Sequence, residues 1–302
     1  ANATPMSRLT GNSRGMVSML VAMGCFAAMD TVLKIFAQDL PPMQMAALRG
    51  LGGMPLLAIY LWRRNSVRSI IQVKWHLQIF RGMLAIAMLW CFSVGIKDLA
   101  LTQAYTLFFI APLLVSVLAW PILGEKAKGF QWFTLLLGLA GVVLALRPST
   151  DGLMSWGSAA ILGAAICYSV SAVVSRRLSR TDTTDSQVFW VLTFLAVGAT
   201  LLALPQWSTL TLKHWALMPA LSITGFVGQL AITDAFKHGR AAAVAPFEYS
   251  ALAWSIGIDI AIWSVWPDAI TLLGASVVIA AGLLLLRSER VVVVATTPQA
   301  AP

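Results

Sequence analysis

The stretch "AVAPFEYSALAW", Ala243 to Trp254, sits in an apolar run yet holds a proline, a glutamate and a tyrosine within four residues. Its surroundings decide the solvent. The 302-residue chain is 59% hydrophobic and 11% charged, with 12 tryptophans, whereas an ordinary globular domain is about 25% charged. A soluble protein of this length cannot hide that much apolar surface, so the medium is a bilayer. Glu248 and the Pro246 backbone break then need a reason, because lipid offers no water to satisfy them.

Working outward, a helix needs about 20 apolar residues to cross the hydrocarbon layer. Ten runs qualify: 15–37, 43–62, 76–96, 99–122, 129–147, 155–176, 186–206, 213–236, 240–264 and 268–287. Pro41, Pro42, Pro148, Pro205 and Pro267 punctuate the breaks. None of the runs alternates with the period of two that a barrel strand shows. The expected fold is an all-α integral membrane protein of ten transmembrane helices. Met6 is read as the native start, and the first run as a true span, not a cleaved leader.

The net charge of +9 follows topology. With alternate loops on opposite sides, Arg8, Arg14, Arg63, Arg64, Arg68, Lys74, Lys126, Lys128, Arg176, Arg177, Arg180, Lys237, Arg240, Arg287 and Arg290 fall on one side. Lys97, Arg147 and Lys213 fall on the other. The positive-inside rule puts both termini in the cytoplasm of a cell inner-membrane protein, with 288–302 as a cytoplasmic tail. Nucleic acid is not needed to explain the charge. Cys25, Cys91 and Cys167 show neither metal-ligand nor disulfide spacing, so no metal and no cofactor is expected.

The chain repeats weakly. Gly15, Cys25-Phe26 and Lys34 recur at the same spacing as Gly157, Cys167-Tyr168 and Arg176. Gly141 opens "GVVLALR" and Gly282 opens "GLLLLR". Two copies, 15–147 and 155–287, with five spans each must enter the membrane from opposite sides, which is the inverted repeat of transporters with a site near the midplane. The fourth span of each half holds a proline, Pro112 and Pro246, about two helical turns out of register. Interrupted spans in matching places point to a transport site; the alternative is two kinks that only shape packing.

The stretch "LALTQAYTLFFIAPLLVSVLAWPILGEKAKGFQWFTLLLGLAGVVLALRP" (99–148) resembles the closing half-domain of the EamA-type drug/metabolite transporter superfamily. "AAAVAPFEYSALAWS" (241–255) resembles the matching region of its second copy. The marks are Pro112, Gly124-Glu125 and Gly141, then Pro246-Phe247, Tyr249 and Gly282. The resemblance implies ten helices as two inverted halves around a central cavity, and secondary transport of small metabolites, usually export. The chain is similar to the superfamily's amino acid exporters, aromatic ones among them. It departs at "WSVWPDA" (263–269), where Val265 replaces an expected glutamate and leaves Glu125 without a counterpart.

A charge inside hydrocarbon is costly, so each has a role to find. Asp30 and Lys34, one turn apart, are a structural pair or a gate contact. Arg49 is expected to snorkel, to bind Asp30, or to meet a substrate carboxylate. Arg81 is expected to snorkel and Asp234 to sit at a solvated helix end. Glu248 and Asp259 share a face nearly three turns apart, as two levels of one path; Glu248 holds an ammonium group or a coupling proton, or else is a structural carboxylate. With Glu248, the cavity candidates are Tyr249, Pro246, Trp254, Tyr105, Phe108, Pro112 and Tyr168, since rings suit apolar and cationic groups. Trp62, Trp75, Trp207, Trp215 and Trp266 are interface anchors.

The expected function is export of small amphipathic metabolites, amino acids foremost, by alternating access. Other transport readings are export of drugs or other metabolites, or uptake of a cofactor-like solute. An intramembrane enzyme is disfavoured: His76, His214 and His238 lie far apart, with no nucleophile–base set among them, and a P-loop for ATP is missing. The partners are a small amino-acid-like solute and lipid. The glycines form no strict GxxxG within a span and assign no dimer face.

Overall fold

The computed structural model describes residues 11–64, 70–98, 101–147, 155–264 and 266–296, all helix, turn and loop with no strand among them. The first half runs α1 (Gly11–Phe36), α2 (Pro42–Arg64), α3 (Trp75–Asp98), α4 (Leu101–Phe108), α5 (Ala111–Leu123) and α6 (Gly129–Leu146). The second runs α7 (Trp156–Leu178), α8 (Thr184–Ala203), α9 (Leu212–His238), α10 (Ala241–Val244), α11 (Ser250–Trp263) and α12 (Ala269–Thr296). Nine stretches among the described residues are long and apolar enough to cross a membrane, α4 with α5 counting as one. The segment from Ala241 to Trp263 has the expected position of the remaining span but is divided by the 3-10 turn Ala245–Tyr249.

Local sequence sets the helix ends. Ser155 caps α7 by accepting from the Ser158 N–H, and Thr183 caps α8 by accepting from the Ser186 N–H, both at 3.2 Å. Such caps satisfy amides that the first helical turn leaves orphaned. Gly124 ends α5 at φ 73°, a left-handed cap that glycine adopts without a Cβ clash. One boundary differs from expectation: α12 runs past Arg287 to Thr296, so the expected tail from 288 is partly helix, and 297–302 lie outside the described residues.

The helices pair in a pattern that survives exchange of the halves. α1 packs on α9 as α7 packs on α3; α11 packs on α1 as α5 packs on α7; α9 packs on α2 as α3 packs on α8. α2 packs on α8, and α6 on α12, each pair being its own counterpart. In lipid such contacts rest on close van der Waals fit, not on water exclusion. α6 and α12 approach closest at Gly141 and Gly274, where a Cβ on either would stand 2.8 or 2.5 Å from the other's carbonyl oxygen. The main core gathers Met16, Met19, Val115, Val173, Phe236, Val244, Phe247 and Leu285 from both halves. Large apolar side chains such as Trp62, Leu201, Trp215 and Trp266 stay exposed on the outer surface, as expected where the surroundings are lipid.

Candidate functional site

Both fourth spans are broken, and each break begins a helical segment at a proline. In the first half α4 stops at Phe108, and α5 restarts at Ala111 with Pro112 in its first turn. Proline there loses nothing, because a first-turn amide has no intrahelical partner. Two hydroxyls brace the first turn of α5: that of Ser169 on α7 lies 3.1 Å from the Ala111 carbonyl, and that of Ser116 donates to the Pro112 carbonyl at 3.1 Å. In the second half Pro246 sits in the first turn of the 3-10 segment, and every residue from Ala241 to Tyr249 is buried.

Between α1, the first broken span, α6 and α11 lies a cavity of about 260 Å³. α1 gives it Ala27, Asp30, Thr31 and Lys34; Tyr105, Phe109 and Leu146 follow, and α11 adds Ala251, Leu252, Ser255 and Ile258. These spacings are single helix faces. Asp30, six residues from the end of α1, is solvent-exposed because it faces this space. It attracts Arg49 of α2. The Arg49 guanidinium lies 5.2 Å over the Phe26 ring, and its Nε has no hydrogen-bond partner.

Glu248 lies behind the cavity wall. It is 5% exposed, its Oε1 has no hydrogen-bond partner, and the Tyr168 side chain of α7 is in hydrogen-bonding contact with its carboxyl group. A chain of ring contacts joins the two places. Tyr168 meets Phe108 at 5.7 Å, Phe108 meets Phe92 at 5.7 Å, and Phe92 meets the cavity residue Tyr105 at 5.9 Å. On the other flank Tyr249 meets Phe109 at 6.0 Å and covers Gly138 so closely that a Cβ there would be 2.6 Å from its ring.

The sequence candidates therefore divide. Asp30, Lys34 and Tyr105 line the cavity; Phe108, Tyr168, Glu248 and Tyr249 form the layer behind it; Pro112 packs in the core. Pro246 and Trp254 face elsewhere: both line an apolar groove of about 270 Å³ against α1 and α12, where Trp254 is 46% exposed. The Asp259 side chain and Val265 lie outside the described residues. One charge departs from expectation. Arg81 does not snorkel; it is 5% exposed and donates to the Gln187 carbonyl at 3.3 Å. Asp234 stands near the end of α9 as expected, partly exposed, and Arg14 and Ser18 of α1 bind it there at 2.9 and 2.8 Å.

The sequence reading passed over Phe92, Thr31 and Ser255. Thr31 and Ser255 were reachable by helical-face arithmetic: Thr31 shares a face with Asp30 and Lys34, and Ser255 stands one turn past Ala251. Phe92 carried no signal, being one apolar residue in an apolar span.

The two ends of the bundle are fastened differently. At the end that carries most of the basic residues, Glu125 accepts from Arg176 at 3.0 Å and from the Ala241 backbone N–H at 2.9 Å. Arg176 also donates to the carbonyls of Phe236 and Lys237. One ion pair thus ties the end of α5 to α7, to the end of α9 and to the start of α10. A larger cavity of about 740 Å³ opens at this end, between the Arg14–Asp234 pair and Asp185. At the opposite end Arg147 pairs with Asp268, and hydrogen bonds from Thr271 and Arg147 hold the Asp268 carboxyl below the usual carboxylate range.

Comparison with known proteins agrees with this architecture. The sequence model of the EamA-like transporter family matches residues 13–147 and again 155–287. The pseudopaline exporter CntI of Pseudomonas aeruginosa strain UCBPP-PA14 is 28% identical over 281 residues, 91% of this chain and 97% of that protein. The S-adenosylmethionine uptake transporter of Rickettsia bellii is 27% identical over 212 residues, 70% of this chain and 72% of its own. The riboflavin transporter of Vibrio cholerae is 25% identical over 273 residues, 88% and 90% of the two chains. A crystal structure superposes with a TM-score of 0.80 at 18% identity, covering 93% of this chain and 98% of that one, a likeness that speaks for the fold alone. These relatives are named for pseudopaline, S-adenosylmethionine and riboflavin, so the expected kinship with aromatic amino acid exporters gains no support from them.

Proposed function

The chain belongs to the EamA-like transporter family, and we propose that it is a secondary exporter of small amphipathic metabolites, zwitterionic amino-acid-like solutes foremost. The observation that carries this is the cavity beside α1. It is lined by a carboxylate and an ammonium group, Asp30 and Lys34, one helical turn apart, and by the rings of Tyr105 and Phe109. The ammonium group of a zwitterionic solute is complementary to the exposed Asp30 carboxylate. The rings add apolar contact and cation–π faces. About 260 Å³ suits a solute of amino-acid size.

In this reading both termini are cytoplasmic and the halves are inverted repeats of five spans around the cavity, set in a cell inner membrane. Alternating access comes from rocking one half against the other. The exchange-symmetric helix pairing supports it. A second reading, uptake of a cofactor-like solute, is favoured by the relatives named for S-adenosylmethionine and riboflavin.

Counterflow in proteoliposomes separates the two. Labelled amino acids, S-adenosylmethionine and riboflavin are offered in turn to vesicles preloaded with the same unlabelled solute. Exchange of at least one amino acid, lost in Asp30→Asn, is the expected result. Exchange of riboflavin or S-adenosylmethionine alone selects the second reading.

A further inference from the structure

We propose that Glu248 is a proton site separate from the solute cavity, and that its carboxyl group is protonated in the conformation described. The proposal rests on the transporter reading and adds the coupling ion to it. Glu248 is nine-tenths buried, it makes no ion pair among the described residues, and one carboxyl oxygen has no hydrogen-bond partner. An ionised carboxylate so placed, without a cation, is strongly disfavoured, and such a group is neutralised by taking up a proton. The titratable groups that face it are Tyr168 of α7 and Tyr249 of its own segment. Arg81 of α3 lies within electrostatic range of Tyr168, but its hydrogen bonds go to Gln187 and it makes no ion pair with the carboxyl group. The α1, α5, α6 and α12 helices also pack on this segment, and bring no charged group into electrostatic contact with it among the described residues.

A metal cation fits this place poorly. Hard cations take about six to eight oxygen ligands, and no group of three His, Cys, Asp or Glu side chains occurs among the described residues. A substrate ammonium group fits poorly too, since Glu248 does not line the cavity that holds Asp30. A proton needs no cavity.

The surroundings supply a way to release it. Glu248 and Tyr168 belong to the second half, while Phe108, which lies against Tyr168, belongs to the first. Movement of one half past the other draws Phe108 off the pair and admits water. The carboxyl O–H bond then breaks, the proton passes to water, and a carboxylate remains until a proton returns from the other side.

Infrared difference spectroscopy of the purified wild type against Glu248→Gln at neutral pH reads the first claim without any solute. The wild type should contribute a protonated carboxyl C=O band; a carboxylate doublet in its place overturns the proposal. Proteoliposomes with a radiolabelled amino-acid mixture read the second. Glu248→Gln keeps the site neutral, so counterflow should stay within about twofold of wild type while accumulation driven by an imposed pH gradient falls at least tenfold. Gradient-driven accumulation undiminished in Glu248→Gln, or counterflow lost with it, overturns the coupling role. Tyr168→Phe, a smaller change, should shift the pH profile of accumulation and leave counterflow intact; an unmoved profile counts against the pair. Absence of wild-type counterflow defeats the amino-acid reading instead, and leaves the infrared result standing.

Discussion

In the first half the interrupted span gives its break to rings; in the second, the break carries a carboxyl group. Residues 101–123 stop at Phe108 and resume at Ala111, and Tyr105 and Phe109 from that bend face the cavity. Residues 241–263 pass through a 3-10 turn that buries Glu248 one layer deeper and leaves α11 to face the same cavity with Ala251 and Ser255. Similar backbone interruptions thus serve different ends, one shaping a wall and the other hiding a titratable group. The two spans also meet, because Glu125 just past the first accepts the N–H of Ala241, which opens the second.

The largest expected effect comes from breaking that joint. Arg176→Met leaves the buried Glu125 carboxylate with only the more distant Arg180, at 4.0 Å, and loss of one partner of a buried pair costs about 3 kcal/mol. Thermal unfolding in detergent should show a drop of several degrees; an unchanged midpoint removes the joint from the account. Next, Asp30→Asn should cut solute exchange at least tenfold, about 1.4 kcal/mol in binding, with normal expression and an unchanged unfolding midpoint.

Gly138→Ala presses on the ring of Tyr249, and overpacking of this kind costs about 1–3 kcal/mol. Its effect should appear both in the unfolding midpoint and in a several-fold slower exchange. Pro112→Ala is the mildest, within about 1 kcal/mol, because proline in a helix's first turn blocks no hydrogen bond. A large loss there, in unfolding or transport, would mean that the first break is more than a wall.

The chain shows its helices openly, because apolar runs near 20 residues have few other readings. It shows the importance of Asp30, Lys34 and Glu248 for a related reason: charge in hydrocarbon is expensive and stands out. Direction is what stays hidden. Trp254 and Ser255 are neighbours about 100° apart round one helix, and in a chain apolar on every side no periodicity says which faces the cavity. The sequence reading chose the tryptophan; the structure turns it toward α12 and the serine inward. Arg81 was placed too near water for the same reason, since its partner Gln187 is distant in sequence. The 3-10 geometry around Glu248 was legible only as far as its proline.

That pair of neighbours gives the most direct test of the central claim, that solute is held in the cavity beside α1. In a background with Cys25, Cys91 and Cys167 replaced by serine, Ser255→Cys and Trp254→Cys are each labelled with a small thiol reagent, with and without the exchanged amino acid. The account predicts that solute slows labelling at residue 255 several-fold and leaves residue 254 unchanged. Protection at 254 with none at 255 would contradict it.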